Sequence, residues 1–386
     1  MDAGTQKPQP HDPPSLALLR SRVDALDHEL LQLLARRGGL VAEIARAKRL
    51  EGVPIRDRAR ESEIISDRRA VAERLGLNPD VVESIYRNVL WASRDRQASL
   101  RAELADDEPR KTIAVVGGLG AMGRCISGLF ADLGHAVLVA DVSTALRPEQ
   151  AAAAADVTII SVPIAATVEV IRAVGPHVPA HGLLMDVTSL KAEPLRAMLD
   201  YCPASVLGTH PLFGPSVHSL QGQRIALTPG RGDEWLAWVR RALRARGLIA
   251  IETTAERHDR TMGVVQVLNH LSTQVMGRAL SLTGMPLADT LAFASPAYLM
   301  ELTMTGRHFA QSPGLYAAIE MGNPDMPQMT AAFRAAAAEV ISLVERRDAA
   351  GFAAMFEQVQ RYFGEFTRQA LEQSNFLIDR LVERSD

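Results

Sequence analysis

Cysteine is scarce. Two residues, Cys125 and Cys202, are too few for a disulfide framework or a cysteine metal site, so we expect no metal. That scarcity fits a reducing, cytoplasmic setting. Neither sign of charge dominates: the formal net charge is −3, and nothing in it points to nucleic acid. No apolar run approaches the ~20 residues that a membrane span needs. The polar, proline-rich start, residues 1–14, lacks the apolar stretch of a signal peptide and reads as a disordered leader. What is present is 47% hydrophobic and 23% charged residues over 386 positions. That is the balance of a globular protein long enough for two or three domains.

The most informative stretch is Thr112-Ile-Ala-Val-Val-Gly-Gly-Leu-Gly-Ala-Met-Gly123. It predicts a short apolar strand, a glycine turn and the opening of a helix. Gly118, Gly120 and Gly123 fit G-x-G-x-x-G, whose glycines serve a tight turn, close approach to a pyrophosphate and helix–strand contact. The helix start, with Ala121 and Met122, offers free N–H groups and a positive dipole end to phosphates. A second strand, Ala136–Ala140, runs into Asp141, about 20 residues past the glycines, where a ribose-binding acid is expected. An acid there favours NAD over NADP, because it repels a 2′-phosphate.

Further apolar runs follow at Val157–Val162, Gly182–Val187, Ser205–Gly208, Arg224–Thr228 and Leu248–Glu252. Strands alternating with helical stretches predict a mostly parallel sheet, and ligands bind at the carboxyl ends of such strands. Ser161, Pro163, Ser189 and His210 fall at those ends. From Arg257 onward the pattern is helical, with long helices expected at Met262–Leu282, Met329–Glu345 and Gly351–Leu371.

Before the glycine turn, apolar residues recur at helical spacing from Ser15 to about Leu50, predicting ~50 Å of helix. So long a helix overshoots a small domain, and its apolar stripe calls for other helices, most simply from a second copy of the chain. Gly38 and Gly39 interrupt good helix formers and mark a kink or a close crossing. Second and third helices are expected over Asp57–Arg74 and from Asn78 to about Leu100. Arg37 and Lys48, eleven apart, lie within ~20° of one stripe. Arg20 lies about 25 Å from Arg37 along the axis, too far to join it easily around one small ligand in one protomer, but it could do so across an antiparallel dimer.

Leu19-Arg20, Ala35-Arg36-Arg37, Ala47-Lys48, Arg56-Asp57, Arg60-Glu61 and Ser93 with Gln97 resemble the motif residues of the all-helical chorismate mutases. Asp186-Val-Thr-Ser-Leu-Lys191, Gly208-Thr-His-Pro-Leu-Phe-Gly-Pro215, His258-Asp259, Asn269-His270, Ser295-Pro-Ala-Tyr298 and Gly306-Arg307-His-Phe-Ala-Gln311 resemble the prephenate dehydrogenases. Both sets in this order resemble the family of fused chorismate mutase–prephenate dehydrogenases. Where some fused relatives carry arginine after the Ser-Pro-x-Tyr, this chain has Leu299.

The resemblance implies a multi-domain fold: an all-α helical chorismate mutase domain, a Rossmann-type α/β dinucleotide-binding domain and an all-α dimerisation domain. We draw the boundaries at 15–100, 111–254 and 255–386, with a linker at 101–110. In the mutase, the resemblance makes Arg20, Arg37 and Arg60 anion binders, with Arg20 supplied by the partner. Lys48 and Gln97 would face the breaking C–O bond, Asp57 and Glu61 the substrate hydroxyl, and Ser93 a carboxylate. In the dehydrogenase, His210 would take the proton of the C4 hydroxyl, Arg307 would hold a carboxylate, and Ser189 and His270 would assist. Gly118, Gly120, Ala121, Met122, Gly123, Asp141, Ser161 and Pro163 would bind NAD. The implied protein is a cytoplasmic homodimer acting on chorismate and prephenate in tyrosine biosynthesis. Two other readings remain open: the same chemistry on 4-amino-4-deoxy analogues, or a helical first third that only dimerises or regulates.

Overall fold

The computed structural model describes residues 15–50, 57–103, 109–217 and 219–382. The expected leader and most of the charged part of the linker lie outside the described residues.

Helices α1 (Leu16–Leu50), α2 (Arg58–Arg74) and α3 (Pro79–Glu103) form the first unit. α1 is one helix of 35 residues. It runs unbroken through Gly38 and Gly39, and a Cβ added at either meets no atom within 4 Å. The pair therefore marks no close crossing among the described residues. α2 starts where the Asp57 carboxylate accepts from the backbone N–H of Arg60 at 3.0 Å, satisfying one orphan donor of the first turn. α3 packs on both α1 and α2. Val41, Ala45, Ala72 and Leu90 are buried in this unit. Leu19, Val23, Leu26 and Leu30 along α1 remain exposed.

The second unit is a seven-stranded sheet of β1 (Thr112–Val116), β2 (Ala136–Ala140), β3 (Val157–Ile160), β4 (Leu183–Asp186), β5 (Ser205–Pro211), β6 (Arg224–Arg231) and β7 (Ile249–Glu252). Their order is β2-β1-β3-β4-β5-β6-β7. All neighbours pair in parallel except β5 with β6. β2 lies on one side of β1 and β3 on the other, which opens a crevice beyond the carboxyl ends of β1 and β3.

Helices α4 (Ala121–Asp132), α5 (Pro148–Ala153), α6 (Thr167–Val174), α7 (Ala192–Tyr201) and α8 (Asp233–Ala245) accompany the sheet. One buried cluster includes Phe130 of α4 stacked on Trp238 of α8, with ring centroids 5.9 Å apart. Another gathers Ile171 and Val174 of α6 with Met198 of α7. β1, β3 and β4 are apolar almost throughout because helices shield them on both sides. β5 extends to Pro211, so His210 sits within the strand rather than after it.

The third unit comprises α9 (Ala255–Met262), α10 (Asn269–Leu282), α11 (Leu287–Ala292), α12 (Pro296–Phe309), α13 (Pro313–Gly322), α14 (Met326–Glu345), α15 (Ala349–Phe363) and α16 (Phe366–Val382). Two sequence expectations change here. The helix expected over Met262–Leu282 contains a π-helical turn, Gly263–Leu268, between α9 and α10. The helix expected over Gly351–Leu371 breaks at Gly364, whose φ of +52° lies in the left-handed region. α13 packs against the turn after β3, Ile164–Ala166, so the helical unit leans over the crevice. Among the described residues, no helix is long and apolar enough to cross a membrane.

Candidate active sites

The glycine turn is built by backbone geometry. Gly117 has φ +80°, and a Cβ there would sit 2.2 Å from the Ser161 carbonyl oxygen. β1 and β3 approach so closely at this point that no side chain fits. A Cβ on Gly123 would lie 2.3 Å from the Gly117 carbonyl oxygen, so α4 can press on the turn only through a glycine. Gly120 differs. It caps α4 in an ordinary extended conformation, φ −64° and ψ 162°, and a Cβ there would meet only the Gly117 oxygen, at 3.3 Å. Its missing side chain leaves the helix N-terminus bare, the cradle that a pyrophosphate requires. Asp141 braces the turn by accepting from the Leu119 N–H at 3.1 Å.

A cavity of about 540 Å³ opens from this turn. Gly120, Ala121, Met122 and Gly123 line one side, with Ser161, Pro163, Ser189 and His210 from the strand ends. Gln266 of the π-helical turn, His270 of α10 and Gln311 and Tyr316 of the helical unit line the other. Arg307 is exposed on α12 and does not line this cavity. Its charge is felt at Tyr316: burial pushes that phenol up, and Arg307 opposes the rise.

His210 is 3% exposed. Burial, followed by the neighbouring His258 and Lys191, holds its imidazole well below the usual histidine range. It is therefore neutral at working pH, as a proton acceptor must be. Beneath it, the buried Lys191 ammonium pairs with Asp186 and donates to the Thr209 carbonyl at 2.7 Å. Burial pushes Lys191 down, and Asp186 opposes that shift.

A second cluster lies beside the cavity. Tyr316 stacks on His308, centroids 3.9 Å apart, and meets His270 edge-on at 4.7 Å. Gln274 donates to Glu320 at 2.7 Å. Nδ1 of His270 is buried with no hydrogen-bond partner, and Glu320 Oε1 lies 3.7 Å away. Burial, then the charge of His308, lowers His270 from 6.5 to about 4.

That shift predicts a pH dependence. Between pH 6.5 and 4 the unfolded chain takes up a proton that folded His270 refuses, so this group's contribution to stability falls as pH drops through that window. The urea midpoint of the wild type, relative to His270→Gln, should decline over this range and stay level above it. A difference independent of pH contradicts the assignment.

In the first unit, Arg37 of α1 donates to the Ser93 hydroxyl of α3. Ser93 and Gln97 are both 8% exposed, and Gln97 Oε1 is buried with no hydrogen-bond partner. Lys48 is half-buried farther along α1. Glu61 of α2 is paired with Arg94 of α3 at 2.6 Å. Arg60 is exposed and bonds Glu63 at 3.0 Å. Arg20 is exposed near the start of α1.

Residues 19–98 match the family Chorismate mutase type II. Residues 121–251 match Prephenate dehydrogenase, nucleotide-binding domain, and 254–358 match Prephenate dehydrogenase, dimerization domain. The chain is 34% identical to the T-protein of Haemophilus influenzae over 94% of this chain and 96% of that protein. It is 35% identical to the T-protein of Enterobacter agglomerans over 94% and 97%. The chain belongs to the T-protein family.

This T-protein family member therefore carries a chorismate mutase and a prephenate dehydrogenase, a bifunctional enzyme of tyrosine biosynthesis. A crystal structure of prephenate dehydrogenase from A. aeolicus, in complex with hydroxyphenyl propionate and NAD+, is similar in fold. Its TM-score is 0.56 at 16% identity, covering 69% of this chain and 100% of that one.

In this chain the fold brings the glycine turn, Ser161, Pro163, Ser189, His210 and His270 to one cavity. It joins Arg37 to Ser93. Arg20 and Arg307 stand apart from these groups within the single chain. Gly117, Gln266 and Tyr316 were not singled out in the sequence, and Gln311 stood only as part of the Gly306–Gln311 motif. Gly117 adjoins Gly118 and was hidden because three other glycines already satisfied the spacing.

Proposed function

We propose that this chain converts chorismate to prephenate in its helical first unit, and prephenate to 4-hydroxyphenylpyruvate and CO2 at the cavity beside the glycine turn. The observation that carries the second step is His210, buried and held neutral, on the same cavity as a bare helix N-terminus.

The first reaction is a pericyclic rearrangement and needs no nucleophile or base. It needs the reactant held in a chair-like conformer, with donors where negative charge develops on the ether oxygen. Arg37 and Arg60 fit the carboxylates, with Ser93 supporting Arg37. Lys48 and Gln97 fit the ether oxygen: Oε1 of Gln97 has no hydrogen-bond partner, so its amide can rotate to present N–H there. Asp57 and Glu61 fit the hydroxyl side. Glu61 faces a competing partner in Arg94, and Asp57 also caps α2.

In the second reaction NAD, when bound, supplies the hydride acceptor. Gly118, Gly120, Ala121, Met122 and Gly123 would hold its pyrophosphate, Asp141 its ribose, and Ser161 and Pro163 the strand-end side. His210 accepts the proton of the C4 hydroxyl as hydride leaves C4. Ser189 and His270 contact the ring, and Arg307, off the cavity in this structure, holds a carboxylate once its side chain swings in beside Tyr316. Aromatisation of the ring drives the loss of CO2.

We infer a cytoplasmic homodimer. The exposed leucine stripe of α1 and the distance of Arg20 from Arg37 support a shared mutase site; the free cysteines support a reducing compartment. Mixing tests this. Co-expressed Arg20→Ala and Arg37→Ala chains should regain mutase turnover that each pure variant lacks, because one intact site forms per mixed dimer. No recovery removes Arg20 from a shared site. For substrate class, prephenate should outpace 4-amino-4-deoxyprephenate, and chorismate its 4-amino analogue. Equal preference contradicts this reading.

A further inference from the structure

His210 does not stand alone. Its Nδ1 lies 2.9 Å from Nε2 of His258 on α9. Nδ1 of His258 lies 2.8 Å from Oδ1 of Asp259. His258 and Asp259 are each 2% exposed. An ionised carboxylate only accepts, so His258 carries its proton on Nδ1. With that proton on Nδ1, Nε2 of His258 offers a lone pair, and His210 donates to it from Nδ1. The bonds run in one direction, and they leave the lone pair of His210 on Nε2.

Asp259 is itself fixed from two sides. Its Oδ1 accepts from the Lys191 N–H at 2.8 Å and its Oδ2 from the Ala192 N–H at 2.9 Å, at the start of α7. Its backbone carbonyl accepts from Asn323 Nδ2 at 2.9 Å. The other charged groups facing this chain of bonds are Lys191 and Asp186, already paired with each other. A carboxylate anchored so firmly dictates the orientation of His258, and His258 dictates that of His210.

We propose that His258 and Asp259 are positioning residues of the dehydrogenase: they hold His210 in the tautomer whose Nε2 takes the substrate's hydroxyl proton. The proposal rests on the reading of His210 as the base. In that step the C4 O–H bond breaks and its proton moves to Nε2. The electron pair of that bond becomes the second bond of a carbonyl as hydride leaves C4 for the dinucleotide. When the carboxylate leaves as CO2, its electrons pass through the ring to the same oxygen, and His210 returns the proton. Between those moments His210 is an imidazolium. Its Nδ1–H then points at the Nε2 of His258, backed by a carboxylate, which stabilises the charge without moving any group.

Three variants of the full chain test this. Asp259→Asn keeps the shape but removes the charge and one of the two acceptor oxygens, so it cannot meet the Lys191 and Ala192 N–H groups and still fix the proton of His258. His258→Leu removes the acceptor. His258→Gln keeps one, its amide oxygen reaching the place of Nε2. Asp259→Asn and His258→Leu should each lower the dehydrogenase kcat about a hundredfold with KM for prephenate and NAD little changed, while His258→Gln retains most of the turnover.

Mutase turnover and NAD binding by the same chains report folding. Wild-type kcat in Asp259→Asn overturns the proposal, as does equal loss in the Leu and Gln variants. If His258→Leu loses NAD binding, the isosteric Asp259→Asn decides. Activity retained in His210→Asn defeats the reading of His210 as base. An inactive His210→Asn beside a fully active Asp259→Asn defeats only the positioning role.

Discussion

His210→Asn lowers dehydrogenase turnover about a thousandfold or more, the upper part of the range for a lost general base. Asparagine keeps a polar group on β5 but has no lone pair basic enough to take the hydroxyl proton. The variant should still bind NAD, because the glycine turn is held by backbone contacts that His210 does not make. Mutase turnover should be unchanged, because none of its residues touches the cavity. Removing the ring leaves His258 Nε2 without its partner, at an expected cost of about 1–3 kcal/mol. A melting temperature a few degrees lower is thus compatible with the account. Turnover of prephenate near the wild-type rate is not.

Arg37→Ala has the largest expected effect on the other reaction. Loss of one preorganised donor at developing charge costs about a hundred- to a thousandfold in kcat. Arg37 is more than a donor here: it is half-buried and bonded to Ser93, so alanine also strips a buried hydroxyl, still donating to the Val89 carbonyl, of its donor. The dehydrogenase, supplied with prephenate directly, should run at its normal rate. That combination separates a catalytic first unit from one that only dimerises or regulates. If chorismate turnover survives Arg37→Ala, the helices do not form the site assigned to them.

The central fold was legible because its signals are local. An apolar run, three glycines at fixed spacing and an acid at a strand end lie within thirty residues of one another. Strand-end chemistry was legible too, since topology alone sends Ser189 and His210 to the crevice. The resemblance marked His258-Asp259, but not that they meet His210. His258 and Asp259 stand 48 and 49 residues downstream, on a helix that meets the sheet only by tertiary packing, and no periodicity links them.

The π-helical turn was invisible for a related reason. Its apolar residues continue a helical pattern, and the extra residue per turn shows only in backbone hydrogen bonds. Gly364 ended a helix that periodicity carried through it. On the mutase side, side-chain spacing put Arg37 and Lys48 on one stripe, but it gave no warning that Glu61 has Arg94 opposite it. Those contacts are set by how α2 and α3 pack, not by either helix alone.

The most direct test of the account is a coupled assay on the purified wild-type chain, with chorismate and NAD, no added prephenate, and NADH followed by absorbance. The account predicts NADH formation to the molar amount of chorismate supplied, abolished by Arg37→Ala and restored to that variant by added prephenate. NADH from prephenate but none from chorismate contradicts it.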